Sequence, residues 1–352
     1  MKDDIKIVVD TIGGDNGAEV CVKGAVEGLK NNPNVKLIYL VGHKPQIEGY
    51  LSELNYDKKR IEIIDAREEI TPNEPPVKAV REKKNSSLVV GLNLVKQGKA
   101  DCFISSGSSG AILAGGQFIV GRAKGVKRTP LATLLPTSRK PSLLLDAGAN
   151  VDAKPEVLLQ FAEMGSIYMK EICGVKKPRV AIVNIGMEEE KGNQLVKATY
   201  PLLAADEKIH FIGSIEAREI PFGKADVILC EAFVGNVILK LYEGLGKMIL
   251  SEIKASLLSS IKAKIGAVFI KDALKGTVAK FNPSDKGGAP LLGLNGLVVK
   301  VHGNAKEAEI TSAIAQCATF VENDVKEKII TGFQKETIDD DEPDTDQEGS
   351  DE

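Results

Sequence analysis

The sequence predicts an α/β protein, a three-layer α/β/α architecture on a mostly parallel sheet with a projecting helical hairpin. Three observations predict it. Strand-like and helix-like stretches alternate along the 352 residues. Several of the strand-like runs are apolar on both faces and rich in β-branched residues, as parallel strands covered by helices require. One long stretch, Asn236 to Phe281, breaks the alternation with helical periodicity alone.

The strands are expected at Ile5–Asp10, Lys36–Val41, Arg60–Ile64, Asp101–Ser105, Leu131–Leu135, Ser142–Asp146, Arg179–Ile185, Lys208–Ile212, Val227–Cys230 and Leu297–Val301. Amphipathic helical runs lie between them, notably Ala18–Lys30, Val77–Gln97, Pro155–Ile172 and Glu307–Ile329. In the exceptional stretch Leu245, Ile249, Ile253, Leu257, Ile261, Ile265 and Phe269 recur every fourth residue, an apolar stripe on a helix. Gly266 and Gly276 are the expected break points. A helical insertion of this kind projects as a hairpin, and its stripe must face its own second helix, a second subunit or a membrane surface.

Composition is that of a globular chain, 43% hydrophobic and 27% charged. No apolar run reaches the ~18–20 residues needed to cross a bilayer. The run after Met1 is too short for a signal peptide, so Cys21, Cys102, Cys173, Cys230 and Cys317 are expected to be reduced thiols in a cytoplasm. Charge is uneven. Glu336–Glu352 hold ten acidic residues and no Lys or Arg, so a chain of net charge −3 carries +7 over residues 1–335. The expected organisation is a single α/β domain over residues 1–335, with the hairpin inserted at about 236–281, and a disordered acidic tail over 336–352. A basic body suits anionic partners.

In parallel α/β sheets ligands gather at the carboxyl ends of strands. Six expected strands end in small polar loops: Asp10–Asp15, Ser105–Ala111, Gly148–Asn150, Lys191–Asn193, Gly235–Asn236 and His302–Asn304. In the second, Ser105, Gly107, Ser108, Ser109 and Gly110 make either an anion cradle or a tight turn with a serine cap. It matches neither a Walker loop nor a dinucleotide fingerprint. Lys191 and Asn236 are candidates for polarising a phosphate or a thioester carbonyl, against the plainer readings of a solvated lysine and a helix cap. Of three histidines, His43 and His210 read as surface or strand-edge residues, and His302, beside a glycine at a strand end, is the one placed for chemistry. No His, Cys or carboxylate group has metal spacing, and no nucleophile elbow is present.

Six motifs in this order resemble the acyl-carrier-protein-dependent phosphate acyltransferases of bacterial phospholipid synthesis (the PlsX family). They are Asp10-Thr11-Ile12-Gly13-Gly14-Asp15, Ser105 to Ala111, Asp146-Ala147-Gly148-Ala149-Asn150-Val151-Asp152, Glu190-Lys191-Gly192-Asn193, Phe233-Val234-Gly235-Asn236-Val237 and Gly287 to Gly293. The resemblance runs from about Ile5 to about Val325. Family members usually carry Ala-Met at Thr11-Ile12, Ala at Ser106 and Asn-Thr at Ser108-Ser109. They carry Asp-Gly at Glu231-Ala232, which puts a catalytic role for Glu231 in question.

The resemblance implies a Rossmann-like fold similar to phosphotransacetylases and isopropylmalate dehydrogenases. It implies transfer of a long-chain fatty acyl group from acyl carrier protein to inorganic phosphate. The acyl phosphate then serves a downstream glycerol-3-phosphate acyltransferase in phosphatidic acid synthesis. Lys191 and Asn236 would be catalytic, with the Ser/Gly loop, Asn150, Asn193 and His302 around phosphate and substrate. No cofactor, metal or nucleic acid is expected. The implied assembly is a homodimer, peripherally attached to the anionic inner face of the cell membrane through hairpin residues Leu257, Leu258, Ile261, Ile265 and Phe269. Two rival readings are a nicotinamide-dependent dehydrogenase, which lacks its fingerprint here, and a non-catalytic membrane scaffold, against which Lys191 and Asn236 speak.

Overall fold

A computed structural model describes residues 4–280 and 287–334. The acidic tail, 336–352, and Phe281 at the end of the expected hairpin lie outside them. The chain runs β1 (Ile5–Asp10), α1 (Gly17–Asn31), β2 (Val35–Gly42), α2 (Lys44–Ser52), β3 (Ile61–Asp65), α3 (Pro76–Glu82), α4 (Ser87–Lys96), β4 (Cys102–Ser105) and α5 (Ser109–Gly115). It continues through β5 (Thr133–Leu135), β6 (Ser142–Leu145), α6 (Pro155–Glu171), β7 (Arg179–Val183), α7 (Gln194–Ala205), β8 (His210–Ile215) and β9 (Val227–Leu229). The last elements are α8 (Ala232–Leu258), α9 (Ile261–Lys280), β10 (Ala289–Leu291), β11 (Leu297–Lys300), α10 (Glu307–Glu322) and α11 (Val325–Gln334).

The strands form two sheets, ordered β10-β11-β4-β1-β2-β3 and β5-β6-β9-β7-β8. All pairs are parallel except β10–β11 and β5–β6. Those two antiparallel strands are where the sheets meet. Ala132 N–H donates to the Pro290 carbonyl at 2.9 Å, Leu292 N–H donates to the Pro130 carbonyl at 3.2 Å, and Leu131 bridges Leu291.

Side-chain alternation along each strand sorts the core into two layers that cross both sheets. Ile7, Val9, Ile104, Leu143, Leu145, Val180, Ile182, Leu229 and Val299 face α1, α6 and α10. Val8, Phe103, Leu144, Ala181, Ile228 and Val298 face α4, α5 and the start of α8. Each large apolar side chain withdrawn from water contributes ~1.5–3 kcal/mol, which is why β4, β6 and β9 are buried at every position and apolar at all but Ser105 and Ser142.

The structure corrects four sequence expectations. Val77–Gln97 is two helices, because Ser86 caps a fresh start by accepting from Val89 N–H at 3.3 Å. Glu307–Ile329 is also two helices, broken at Asp324 with φ +50°. Strand β10 was not expected, since Pro290 removes a ladder donor; at the junction Pro290 offers only its carbonyl, and that suffices. The hairpin turns at Ser259–Ser260 and not at Gly266 or Gly276. Ser260 Oγ caps the second helix by accepting from Ala263 N–H at 3.1 Å, whereas an interior glycine costs only ~1 kcal/mol and does not end a helix alone. Leu258, Ile261, Ile265, Val268 and Phe269 of the hairpin are exposed, Phe269 to 85%, and Leu257 is half-buried. None of the described helices is long and apolar enough to cross a membrane.

Candidate active site

The carboxyl ends of the two sheets carry two clusters of loops, each organised by a buried aspartate. In the first sheet β11, β4 and β1 are neighbours, so His302–Asn304, Ser105–Gly110 and Asp10–Asp15 are adjacent, strands being ~4.8 Å apart. Asp10 is 2% exposed. Its Oδ2 accepts from Ser105 Oγ at 2.7 Å and its Oδ1 from Ile12 N–H at 3.1 Å. Ser105 Oγ in turn accepts from Gly107 N–H at 3.0 Å. Ser106 Oγ donates to the Gly13 carbonyl at 2.5 Å, and Asp15 N–H donates to the Gly303 carbonyl at 2.6 Å. A β-carbon on Gly13 would lie 2.6 Å from Gly107 N, so the two loops interlock only as glycines.

In the second sheet β6, β9 and β7 are neighbours, which sets Asp146–Asn150, the start of α8 and the Asn184–Asn193 loop side by side. Asp146 is wholly buried. Its Oδ1 accepts from the backbone N–H of Leu131, Gly148 and Ala149 at 3.0, 3.0 and 2.9 Å. Its Oδ2 accepts from Asn150 N–H at 2.8 Å and Asn150 Nδ2 at 2.7 Å. Asn150 Nδ2 also donates to the Thr129 carbonyl at 2.9 Å, and the Asn150 carbonyl accepts from Ala232 N–H at 3.0 Å. Asn150 therefore holds the start of α8 in place. An ideal β-carbon on Gly235 would fall 1.8 Å from the Asp146 carbonyl oxygen, so only glycine lets α8 approach this loop.

Helix α8 links the clusters. Near its start Asn236 Nδ2 donates to the Ala147 carbonyl at 3.3 Å. Seven residues on, ~10 Å along the axis, Glu243 Oε1 lies 3.6 Å from His302 Nε2, and Glu243 Oε2 is 2.9 Å from Lys240 Nζ. Lys300 beside them is pushed below its ordinary value by burial and by the nearby Lys240 charge.

The expected site residues fall into three groups. Lys191 is exposed and its ammonium is 2.8 Å from Glu188 Oε1; that hydrogen bond holds Glu188 below its usual carboxylate range. Asn236, in the first turns of α8 after β9, and Lys191, on the loop after the adjacent strand β7, share no hydrogen bond among the described residues. Ser105 and Ser108 are committed internally: Ser108 Oγ caps α5, accepting from Ala111 N–H at 3.5 Å. Ser109 is exposed, Gly110 packs against Pro76, and the first N–H groups of α5 are left over, as at any helix start. Asn193 Oδ1 caps α7, accepting from Val196 N–H at 2.9 Å. Asn184 anchors that loop from below, donating to the Lys191 carbonyl and to Ser214 Oγ, both at 3.1 Å.

Sequence reasoning missed Asp10 and Asp146 as the hubs. The signal was present: each carboxylate closes an expected strand and is followed within two or three residues by glycine, the pattern of a carboxylate accepting from the turn that follows it. Glu243 carries no local signal, because only the fold brings it to His302 and the neighbouring Lys300. Glu231 caps α8, accepting from Phe233 N–H at 2.5 Å and Val234 N–H at 3.0 Å; the Glu-for-Asp departure serves a helix start. Three of the five thiols are held as poor nucleophiles. Burial pushes Cys21 up to about 12 and Cys173 to about 11, and Cys230 rises through burial and then the neighbouring Asp146 charge.

The chain matches the family model described as "Fatty acid synthesis protein" over residues 5–328. It is 48% identical over 328 residues to the phosphate acyltransferase of Alkaliphilus oremlandii, covering 93% of this chain and 97% of that one. It is 45% identical over 323 residues to the phosphate acyltransferase of Clostridium acetobutylicum, covering 92% and 97%. Among solved structures, a phosphotransacetylase from Streptococcus pyogenes superposes with a TM-score of 0.60 at 18% identity, over 91% of this chain and 94% of that one. That likeness shows the shared fold. By its matched length and its identity to these relatives, the chain belongs to the phosphate acyltransferase family of fatty acid synthesis proteins.

Proposed function

We propose that this acyltransferase moves a long-chain fatty acyl group from the thioester of acyl carrier protein to inorganic phosphate, making acyl phosphate for glycerophospholipid synthesis. The observation that carries the reading is the pair of adjacent loops after β7 and β9, which bring an exposed lysine and the helix-borne Asn236 to one sheet end.

The reaction needs no acyl-enzyme. A phosphate oxygen attacks the thioester carbon. The new C–O bond forms, the C–S bond breaks, and the electron pair leaves on the phosphopantetheine sulfur. Phosphate is seated at the first turn of α5 by backbone N–H groups. Lys191 and Asn236 orient it or hold the developing oxyanion. The Lys191–Glu188 pair is a poor competitor for that lysine, since an ion pair open to water contributes little. A phosphate dianion replaces Glu188 at little cost. Asn150, Asn193 and His302 frame the substrate; for the first two the part is to position α8 and α7.

The same reading assigns the enzyme to the cytoplasmic face of the cell membrane as a homodimer. Exposed Leu258, Ile261, Ile265 and Phe269 beside Lys254, Lys262 and Lys264 suit an anionic lipid interface. Delivery of acyl phosphate to a membrane-bound glycerol-3-phosphate acyltransferase follows from that location. The test is thiol release from acyl carrier protein. Release that depends on added phosphate and yields acyl phosphate is the expected result. Release without phosphate, or none with it, refutes the reading.

A further inference from the structure

The loop between α5 and β5 carries Arg122, Lys124, Lys127 and Arg128, four cations in seven residues, all exposed. Among the described residues none of them is in an ion pair. The loop is firmly held. Ala123 and Val126 are buried in the core. Ala123 N–H donates to the Gly293 carbonyl at 2.9 Å, Lys127 N–H to Gln160 Oε1 at 2.9 Å, and Gln160 Nε2 back to the Gly125 carbonyl at 2.9 Å. Asn295 Nδ2 donates to the Arg122 carbonyl at 3.1 Å, and Arg122 Nη1 donates to the Lys127 carbonyl. The cations thus stand on a fixed platform with no anion paired to them among the described residues. The platform leads into the candidate site, because the next carbonyl after Arg128, that of Thr129, accepts from Asn150 Nδ2.

The described chain ends at this platform. Phe333 of α11 is 1% exposed and packs with Val126 in one core cluster. A β-carbon on Gly125 would lie 3.0 Å from Phe333 Cβ and 3.3 Å from the Phe333 carbonyl oxygen. Three residues beyond Phe333 begins the run Glu336–Glu352, with ten acidic residues and no Lys or Arg. That run lies beyond the matched family region, which ends at residue 328. A coil of its length has a root-mean-square span of ~20–25 Å, and the seven-residue loop cannot exceed ~24 Å. Every cation is within reach, and tethering gives the tail a local concentration in the millimolar range.

We propose that the acidic tail docks in cis on the basic loop Arg122–Arg128 and shields it from other anionic proteins. If the donor is an acidic carrier protein, a point that rests on the function proposed above, the docked tail competes with it and raises its KM.

The test uses the full chain. Carbodiimide, which joins carboxylates directly to amines, is applied at low salt and at about 0.5 M salt, where exposed charges are screened. Cross-links from tail carboxylates to Lys124 or Lys127, lost at high salt, are expected. In a second full-length protein every Asp and Glu from Glu336 to Glu352 is replaced by Asn or Gln. There the KM for acyl carrier protein is expected to fall ~3–10-fold, with the KM for phosphate and the rate on acyl-pantetheine, which has no acidic protein, unchanged. Absence of salt-sensitive cross-links to these lysines overturns docking. Cross-links with an unchanged carrier KM overturn the competition. A wild-type chain that ignores the carrier refutes the donor assignment, while the cross-links still decide whether the tail docks.

Discussion

Replacing Asp146 with Asn removes one carboxylate oxygen from a site that offers no spare acceptor. The side chain is wholly buried and accepts five hydrogen bonds, three on Oδ1 and two on Oδ2. Asn has one oxygen and one NH2. If the oxygen takes the Oδ1 position, its three donors stay satisfied and the NH2 faces the two donors of Asn150. The reverse orientation loses three bonds, so the first is adopted. Two hydrogen bonds to a charged acceptor are lost, each worth ~1.5–3 kcal/mol, giving ~3–6 kcal/mol in all. Unpaired donors left facing one another add to this and do not reduce it. Chemical denaturation of both proteins measures the difference as a shift in midpoint at constant slope. Thermal unfolding should show a loss of ~4–8 °C, since at ~2.1 cal/mol/K per residue the unfolding entropy of a chain of 352 residues is ~0.7 kcal/mol/K. Turnover should fall too, because Asn150 anchors the start of α8 and with it Asn236. A variant within ~1 kcal/mol of wild type would refute the reasoning, showing that Asp146 is not the hub that its geometry implies.

Three further outcomes are expected. Lys191→Ala and Asn236→Ala should each lower turnover by ~10–100-fold, or ~1.4–2.7 kcal/mol of transition-state stabilisation, with unfolding midpoints unchanged; near-normal rates in both would move the site elsewhere. Leu258→Glu with Phe269→Glu should abolish sedimentation with anionic vesicles while soluble activity and the oligomer seen in gel filtration persist; a variant that dissociates or unfolds would make the stripe an internal core. Glu74 is held down to about 2 by hydrogen bonds from Lys83 and then from Thr71 N–H. A depressed carboxylate gives stability that is fully present above pH 4.5 and is lost as pH falls towards 2. Glu74→Gln should therefore flatten the stability curve in that window, and an unchanged acid limb in denaturation titrations would contradict it.

The carboxyl-end loops were legible because their cause is local. A strand ending in Asp or Ser followed by glycine announces a turn that the side chain itself organises, as at Asp10, Ser105 and Asp146. The hairpin was legible for the same reason, since a four-residue apolar period needs no knowledge of the partner. Its turn was not. Gly266 and Gly276 are the weaker helix formers, but the Ser260 cap offers a bond where an interior glycine offers only a cost.

Composition and periodicity alone determined the α/β class, the layering, the strand-end loops and the acid tail on a basic body. Only the tertiary structure decided which loops are neighbours, because strand order is a long-range property: β9 inserts between β6 and β7, and β11 beside β4. It alone brought Glu243 of α8 to His302 and set Phe333 against Gly125. Such contacts join residues far apart in the chain, and their energy comes from burying faces common to many sequences, so no local pattern marks the partner.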